Sequence, residues 1–181
     1  EKLWLLSQAV NTAIFPHLAA KYKRKSKDTS VTEVLGSTTF VTTTLVAFLL
    51  ALLGSSIIEF FFGAEYLESV PVLLILLPGI LATSVGRIIS NDFSARGKPE
   101  INLYVGSFTV VINIAANMYL IPQMGVQGAA LATSMSYGLN LVVKFVIYYY
   151  LVRIAFWRLL LPGRQNFTII KEVFQHRNRN E

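Results

Sequence analysis

The sequence predicts an all-α, polytopic membrane protein, and three observations carry that prediction. Apolar runs of about 20 residues, each enough to cross a hydrocarbon core of about 30 Å, recur four times along the 181 residues. Hydrophobic residues make up 54% of the chain and charged residues 14%, with a mean hydropathy of +0.54, which is too apolar for an ordinary soluble domain. The segments between the runs alternate between basic and non-basic, the loop bias of a multi-pass protein. The alternative these observations oppose is a soluble helical protein with unusually apolar helices.

Composition also sets the function classes. There is no cysteine, so thiol nucleophiles, disulfides and cysteine-based metal sites are out of reach. The net charge of +6 does not point to nucleic acid, because the basic residues gather beside membrane helices, where orientation bias accounts for them. No basic n-region followed by a short apolar core opens the chain, so no signal peptide is read there. The chain starts at Glu1 and not at Met, and we expect a piece of a longer protein.

Taken in order, residues 1–16 are apolar but too short to span, and fit the end of a truncated membrane helix closed by Pro16. Residues 17–34 carry Lys21, Lys23, Arg24, Lys25 and Lys27, and read as a basic cytoplasmic loop with anionic headgroups as a secondary partner. A four-helix transmembrane part follows over 35–152. Its first helix, about 35–58, holds Thr38, Thr39, Thr42, Thr43 and Thr44, whose hydroxyls can bond to carbonyls one turn back. The loop after it carries Glu59, Glu65 and Glu68. The second helix, about 69–93, has Pro71 in its first turn and Pro78 inside, where a kink is expected. The loop 94–100 is basic through Arg96 and Lys98. Helices over about 101–120 and 127–151 flank the uncharged loop 121–126, where Pro122 and Gly125 interrupt the pattern. Residues 153–181 form a basic cytoplasmic tail. Trp157 and Tyr148–Tyr150 lie where an interfacial aromatic belt belongs. The positive-inside rule places 17–34, 94–100 and the C-terminus in the cytoplasm.

No constellation for covalent chemistry is present. His17 and His176 lie in opposite terminal segments without metal-ligand spacing, and no Gly-rich phosphate loop occurs. We expect neither an enzyme nor a metal or cofactor. The informative groups are polar residues inside spans, because a charge at a helix centre costs about 2.5–3.5 kcal/mol on insertion scales. Arg87, Asp92 and Lys144 are such groups. Arg87 is about seven residues, or roughly 10 Å, from the loop. Snorkelling accounts for Arg87 and Lys144 on one reading. On the other they form the cationic floor of a cavity, where a guanidinium meets a diphosphate through two parallel hydrogen bonds. Asp92 is read as a capping or interfacial group. Asn102, Gly106, Thr109, Asn113 and Asn117 recur every three or four residues and share one helix face. That stripe serves either interhelical bonding, with close packing at Gly106, or a hydrophilic cavity in which Asn113 and Asn117 face sugars. Gly128, Ala132 and Ser136 form a helix-packing seam, continued by Asn140, which is able to bond across it.

The Asn-rich helix ending in Leu120–Ile121–Pro122, the Gly turn and the run GAALATSMSY resemble polysaccharide-repeat flippases of the multidrug/oligosaccharidyl-lipid/polysaccharide exporter superfamily. FPHLAAKYK at 15–23, FFFGAEYLESVPVLLIL at 60–76 and SARGKPEINLYVG at 94–106 resemble the same family, so the likeness covers roughly residues 10–155. The resemblance implies the C-terminal part of a two-lobed, inverted-V exporter fold, with a missing N-terminal lobe as partner. It implies a transporter in the cytoplasmic membrane that flips polyprenyl-diphosphate-linked oligosaccharide for cell-surface polysaccharide, by alternating access, beside glycosyltransferases or a polymerase. No residue role is carried over from the family. A cation-coupled drug exporter, a peptidoglycan-precursor flippase and a non-transporting scaffold are the competing expectations. The exporter would want a carboxylate near mid-span, and the one in-span carboxylate, Asp92, lies near a membrane face.

Overall fold

A computed structural model describes residues 30–153 together with Trp157 and Leu160. The expected helix end at 1–16, most of the basic loop and tail, and both histidines lie outside the described residues. The described chain is all helical: α1 (Ser30–Phe62), a 3-10 turn (Ala64–Ser69), α2 (Val70–Ala95) and α3 (Glu100–Val152). Three stretches, Thr32–Phe62, Ala64–Ala95 and Glu100–Val152, are long and apolar enough to cross a membrane.

At about 1.5 Å per residue, the 53 residues of α3 are far too long for one crossing. Gly125 resolves this, since its φ of 56° and ψ of −132° leave the helical region and divide α3 into two arms. The arms fold back antiparallel. Asn113 donates to the Ser136 hydroxyl at 3.2 Å, and Asn140 donates to the Thr109 hydroxyl at 2.7 Å. Nearer the turn, a Cβ on Gly128 would strike the carbonyl of Leu120, so only a glycine lets the arms close there. The expected loop 121–126 therefore shrinks to Gly125. Pro122 stays within the first arm, where its fixed φ suits a helix.

The other turns also have local causes. Gly63, at φ 99° and ψ 163°, adopts a backbone conformation reserved for glycine, and ends α1. After α2, the N–H of Lys98 bonds to the carbonyl of Phe93 at 2.9 Å around Gly97, which has φ 73°. This is a left-handed helix stop, and Pro99 follows it. Pro71 occupies the first turn of α2 as expected, and Pro78 lies inside the helix.

Packing follows from where small residues stand. Gly79, Gly86 and Phe93 of α2 repeat every seven residues. They meet Ser134, Asn140 and Tyr148 of α3, so α2 and the second arm run parallel and in register. A Cβ on Gly79 would come within 2.8 Å of the Ser134 Cα, which marks backbone contact. Ser134 donates to the carbonyl of Ile75 at 2.5 Å, beside the position where Pro78 removes a helical N–H. Bilayers give little hydrophobic drive for helix association, so these close contacts and hydrogen bonds hold the segments together. α1 runs antiparallel to α2, joined by Thr32 to Asp92 at 3.1 Å and by Gly54 against Leu73. The best-buried cluster is Val85, Ile89, Phe93 and Tyr148, with Phe40 and Ile101 packed against it. Elsewhere large apolar side chains such as Phe48, Leu52, Phe60, Val111 and Met118 are exposed, which suits lipid contact. The back-bonding expected of the α1 threonines occurs instead at Ser37, Thr109, Thr133 and Ser136, while Thr38, Thr42 and Thr44 stand exposed.

Candidate functional site

The site is built on the seam between α2 and the second arm of α3. Arg87 stands eight residues before the end of α2 and Lys144 eight before the end of α3, so each lies about 12 Å inside its helix end. Because these two segments run parallel, the two positions come to one level. Both side chains are partly buried. The sequence reading puts both on one cationic floor, and the fold brings their positions to one level.

The polar stripe of the first arm is engaged in holding the hairpin. Asn113 reaches Ser136 as described, and Asn117 donates to both the backbone carbonyl and the Oδ1 of Asn113, at 2.8 and 3.0 Å. Both Nδ2 groups thus donate to protein acceptors. Asn102 donates to the Ser90 carbonyl at 2.9 Å and to the Ser94 hydroxyl at 3.2 Å, tying the first arm to α2. Its Oδ1 is buried without a hydrogen-bond partner among the described residues.

Gly128, Ala132 and Ser136 are all buried. Gly106 departs from the expectation of close packing, since a Cβ there would meet nothing within 4 Å among the described residues. An apolar depression of about 350 Å³, lined by Ile114, Asn117, Met118, Ile121 and Pro122, lies toward the Gly125 turn, away from the cations.

A second polar cluster closes the opposite end. Asp92 accepts from Thr32 of α1 and forms an ion pair with Arg96 at 2.5 Å, one turn along α2. The hydroxyl of Tyr148 lies close to Asp92 and Thr32. Asp92 is thus an interfacial group joining three elements, and its spacing of four to Arg96 suits a pair better than its spacing of five to Arg87. Asn140, Ser134 and Tyr148 matter more than their sequence context indicated. The seven-residue recurrence of Gly79, Gly86 and Phe93 is the signal that locates them. No group of three or more His, Cys, Asp or Glu able to hold a metal occurs among the described residues.

Helices of membrane length joined by internal amide bonds define a multi-pass membrane protein. Residues 3–165 match the family described as Lipid II flippase MurJ, and the chain belongs to that family. It is 30% identical to the probable low-salt glycan biosynthesis flippase Agl15 of Haloferax volcanii over 142 residues, 77% of this chain and 30% of that protein. It is 32% identical to an uncharacterized membrane protein of Methanocaldococcus jannaschii over 136 residues, 71% of this chain and 26% of that protein. The capsular polysaccharide biosynthesis protein CapF of Staphylococcus aureus is 29% identical over 104 residues, 58% of this chain and 25% of that protein. The chain spans less than a third of the length of these curated relatives. No solved structure matches it.

Proposed function

We propose that this chain is the C-terminal part of a flippase that moves a saccharide, linked through diphosphate to a polyprenyl lipid, across the cytoplasmic membrane by alternating access. The observation that carries the reading is the shared level of Arg87 and Lys144 inside a span, set by the parallel docking of α2 on the second arm. Two cationic side chains at one depth inside a span suit an anionic headgroup. A diphosphate at that level balances both charges and accepts paired hydrogen bonds from the guanidinium. Membership of a lipid II flippase family and likeness to a glycan biosynthesis flippase support a lipid-linked saccharide as cargo. In this reading α1, α2 and the two arms of α3 make four crossings, with 94–100 and the C-terminus in the cytoplasm. The lobes rock about the bound headgroup while the lipid tail stays in the bilayer.

The peptidoglycan-precursor alternative is favoured by the family description itself, and one assay separates the two. The full-length protein in proteoliposomes is given either a lipid-linked oligosaccharide or lipid II, and arrival in the opposite leaflet is measured. Arg87→Ala is expected to lower the rate at least ten-fold, with membrane insertion unchanged. Unchanged flipping would return Arg87 to simple snorkelling.

A further inference from the structure

Among the described residues, α1 is fastened at its first turns and jointed at its far end. Thr32, Val34, Gly36 and Ser37 are buried, whereas over 38–62 only Ala47 and Gly54 are. The far end turns on Gly63, whose φ of 99° and ψ of 163° suit a glycine alone. A helix held at one end and jointed at the other can swing, provided that the hold can be released.

The hold contains a carboxylate. Asp92 of α2, its side chain 13% exposed, accepts from Thr32 of α1 at 3.1 Å through Oδ1 and from Arg96 Nε at 2.5 Å through Oδ2. Withdrawing Thr32 strips a donor from a charge kept largely from water, which is costly unless another donor takes its place. Tyr148 of α3 can be that donor. It is fully buried, its hydroxyl lies close to Asp92 and Thr32, and that hydroxyl makes no hydrogen bond among the described residues. Buried hydroxyls are seldom left unpaired, so an unused donor beside an engaged acceptor points to a second arrangement in which the two meet. Tyr148 also belongs to the part that stays. Its ring packs edge-on against Phe93 of α2 at 5.8 Å, within the best-buried cluster. When α1 leaves, Thr32 goes with it, while Asp92, Arg96 and Tyr148 remain together.

We infer that Asp92 is the catch of a two-state latch, bonded to Thr32 when α1 is closed on α2 and to Tyr148 when the first turns of α1 swing away about Gly63. The exchange keeps the carboxylate supplied with a donor in both states and gives the Tyr148 hydroxyl a partner in the open one. Such an exchange holds two discrete packings close in free energy. The latch depends neither on the two cations nor on the identity of the cargo.

The test uses the full-length protein, freed of other cysteines and reconstituted in lipid nanodiscs, with spin labels on Thr38→Cys and Asn91→Cys, both at exposed positions. Pulsed dipolar spectroscopy then reads the distance between the first half of α1 and the end of α2. Thr32→Val removes the donor of the closed state and is expected to raise the ratio of long to short distances at least three-fold. Tyr148→Phe keeps the ring in the cluster but removes the donor of the open state; added to Thr32→Val, it is expected to cancel most of that rise. If Thr32→Val leaves the ratio unchanged, α1 is not held by this bond and the latch is overturned. If Tyr148→Phe fails to reduce the rise, the cluster is a fixed polar junction and the latch is overturned equally.

Discussion

Single glycines in this chain do opposite jobs, and the space around each one decides which. At Gly79 an added Cβ would press on the backbone and hydroxyl of Ser134 at 2.8 and 2.9 Å. Gly79→Ala is therefore expected to destabilise by about 1–3 kcal/mol, the range for overpacking, read as a lower unfolding midpoint in detergent. A Cβ at Gly138 would meet nothing within 4 Å among the described residues, and Gly138→Ala is expected to stabilise by roughly 0.5–1 kcal/mol in the same assay. Ser134→Ala leaves the Ile75 carbonyl beside Pro78 without its donor, and should cost about 0.6–1.7 kcal/mol, typical of interhelical bonds in membranes. Sequence spacing alone treats Gly79, Gly106, Gly128 and Gly138 alike. Only the register of the packed helices distinguishes a contact glycine from an open one.

At the scale of elements, the hairpin of α3 is held by two amide-to-hydroxyl rungs and a glycine contact. The chain has no native cysteine, so a pair introduced at Asn113 and Ser136 reports on that rung alone. We expect that pair to cross-link on oxidation, while a pair at Leu103 and Val146, both exposed, should not. Much of this was legible beforehand: the helices, the break near Gly125, the shared face of Asn102 to Asn117 and the seam of Gly128, Ala132 and Ser136. The helix ends were not, because α1 reaches Phe62 and begins at Ser30, beyond the apolar run that announced it. Helical hydrogen bonding continues through the polar first turn at Ser30–Glu33, which hydropathy does not see, and past Glu59 through Phe60–Phe62. The parallel docking of α2 on the second arm was also hidden, because adjacency between non-consecutive segments is fixed by side-chain fit and leaves only the faint Gly79, Gly86, Phe93 repeat. The shared level of Arg87 and Lys144 depends on that docking, which spacing along the chain does not reveal.

For the whole molecule, the direction of the bundle is open to direct measurement. Single cysteines replacing the exposed Glu65 and Lys98 are expected to react with a membrane-impermeant thiol reagent from opposite sides, Lys98→Cys only when the cytoplasmic face is accessible. Labelling of both from one side would remove the four-crossing arrangement and with it the placing of Arg87 and Lys144 toward the cytoplasm. The bundle is tightest where Asp92 joins Thr32, Arg96 and Tyr148, and its turns at Gly63 and Gly125 lie at the other end. The hairpin also bears on how the protein is made. Asn113 donates to Ser136 and Thr109 accepts from Asn140, residues synthesised 23 and 31 positions later, so the first arm alone in lipid leaves the Asn113 Nδ2 without that acceptor. The two arms must leave the insertion machinery together, and a ribosome that stalls soon after Gly125 strands a half-hairpin, a natural substrate for membrane quality control.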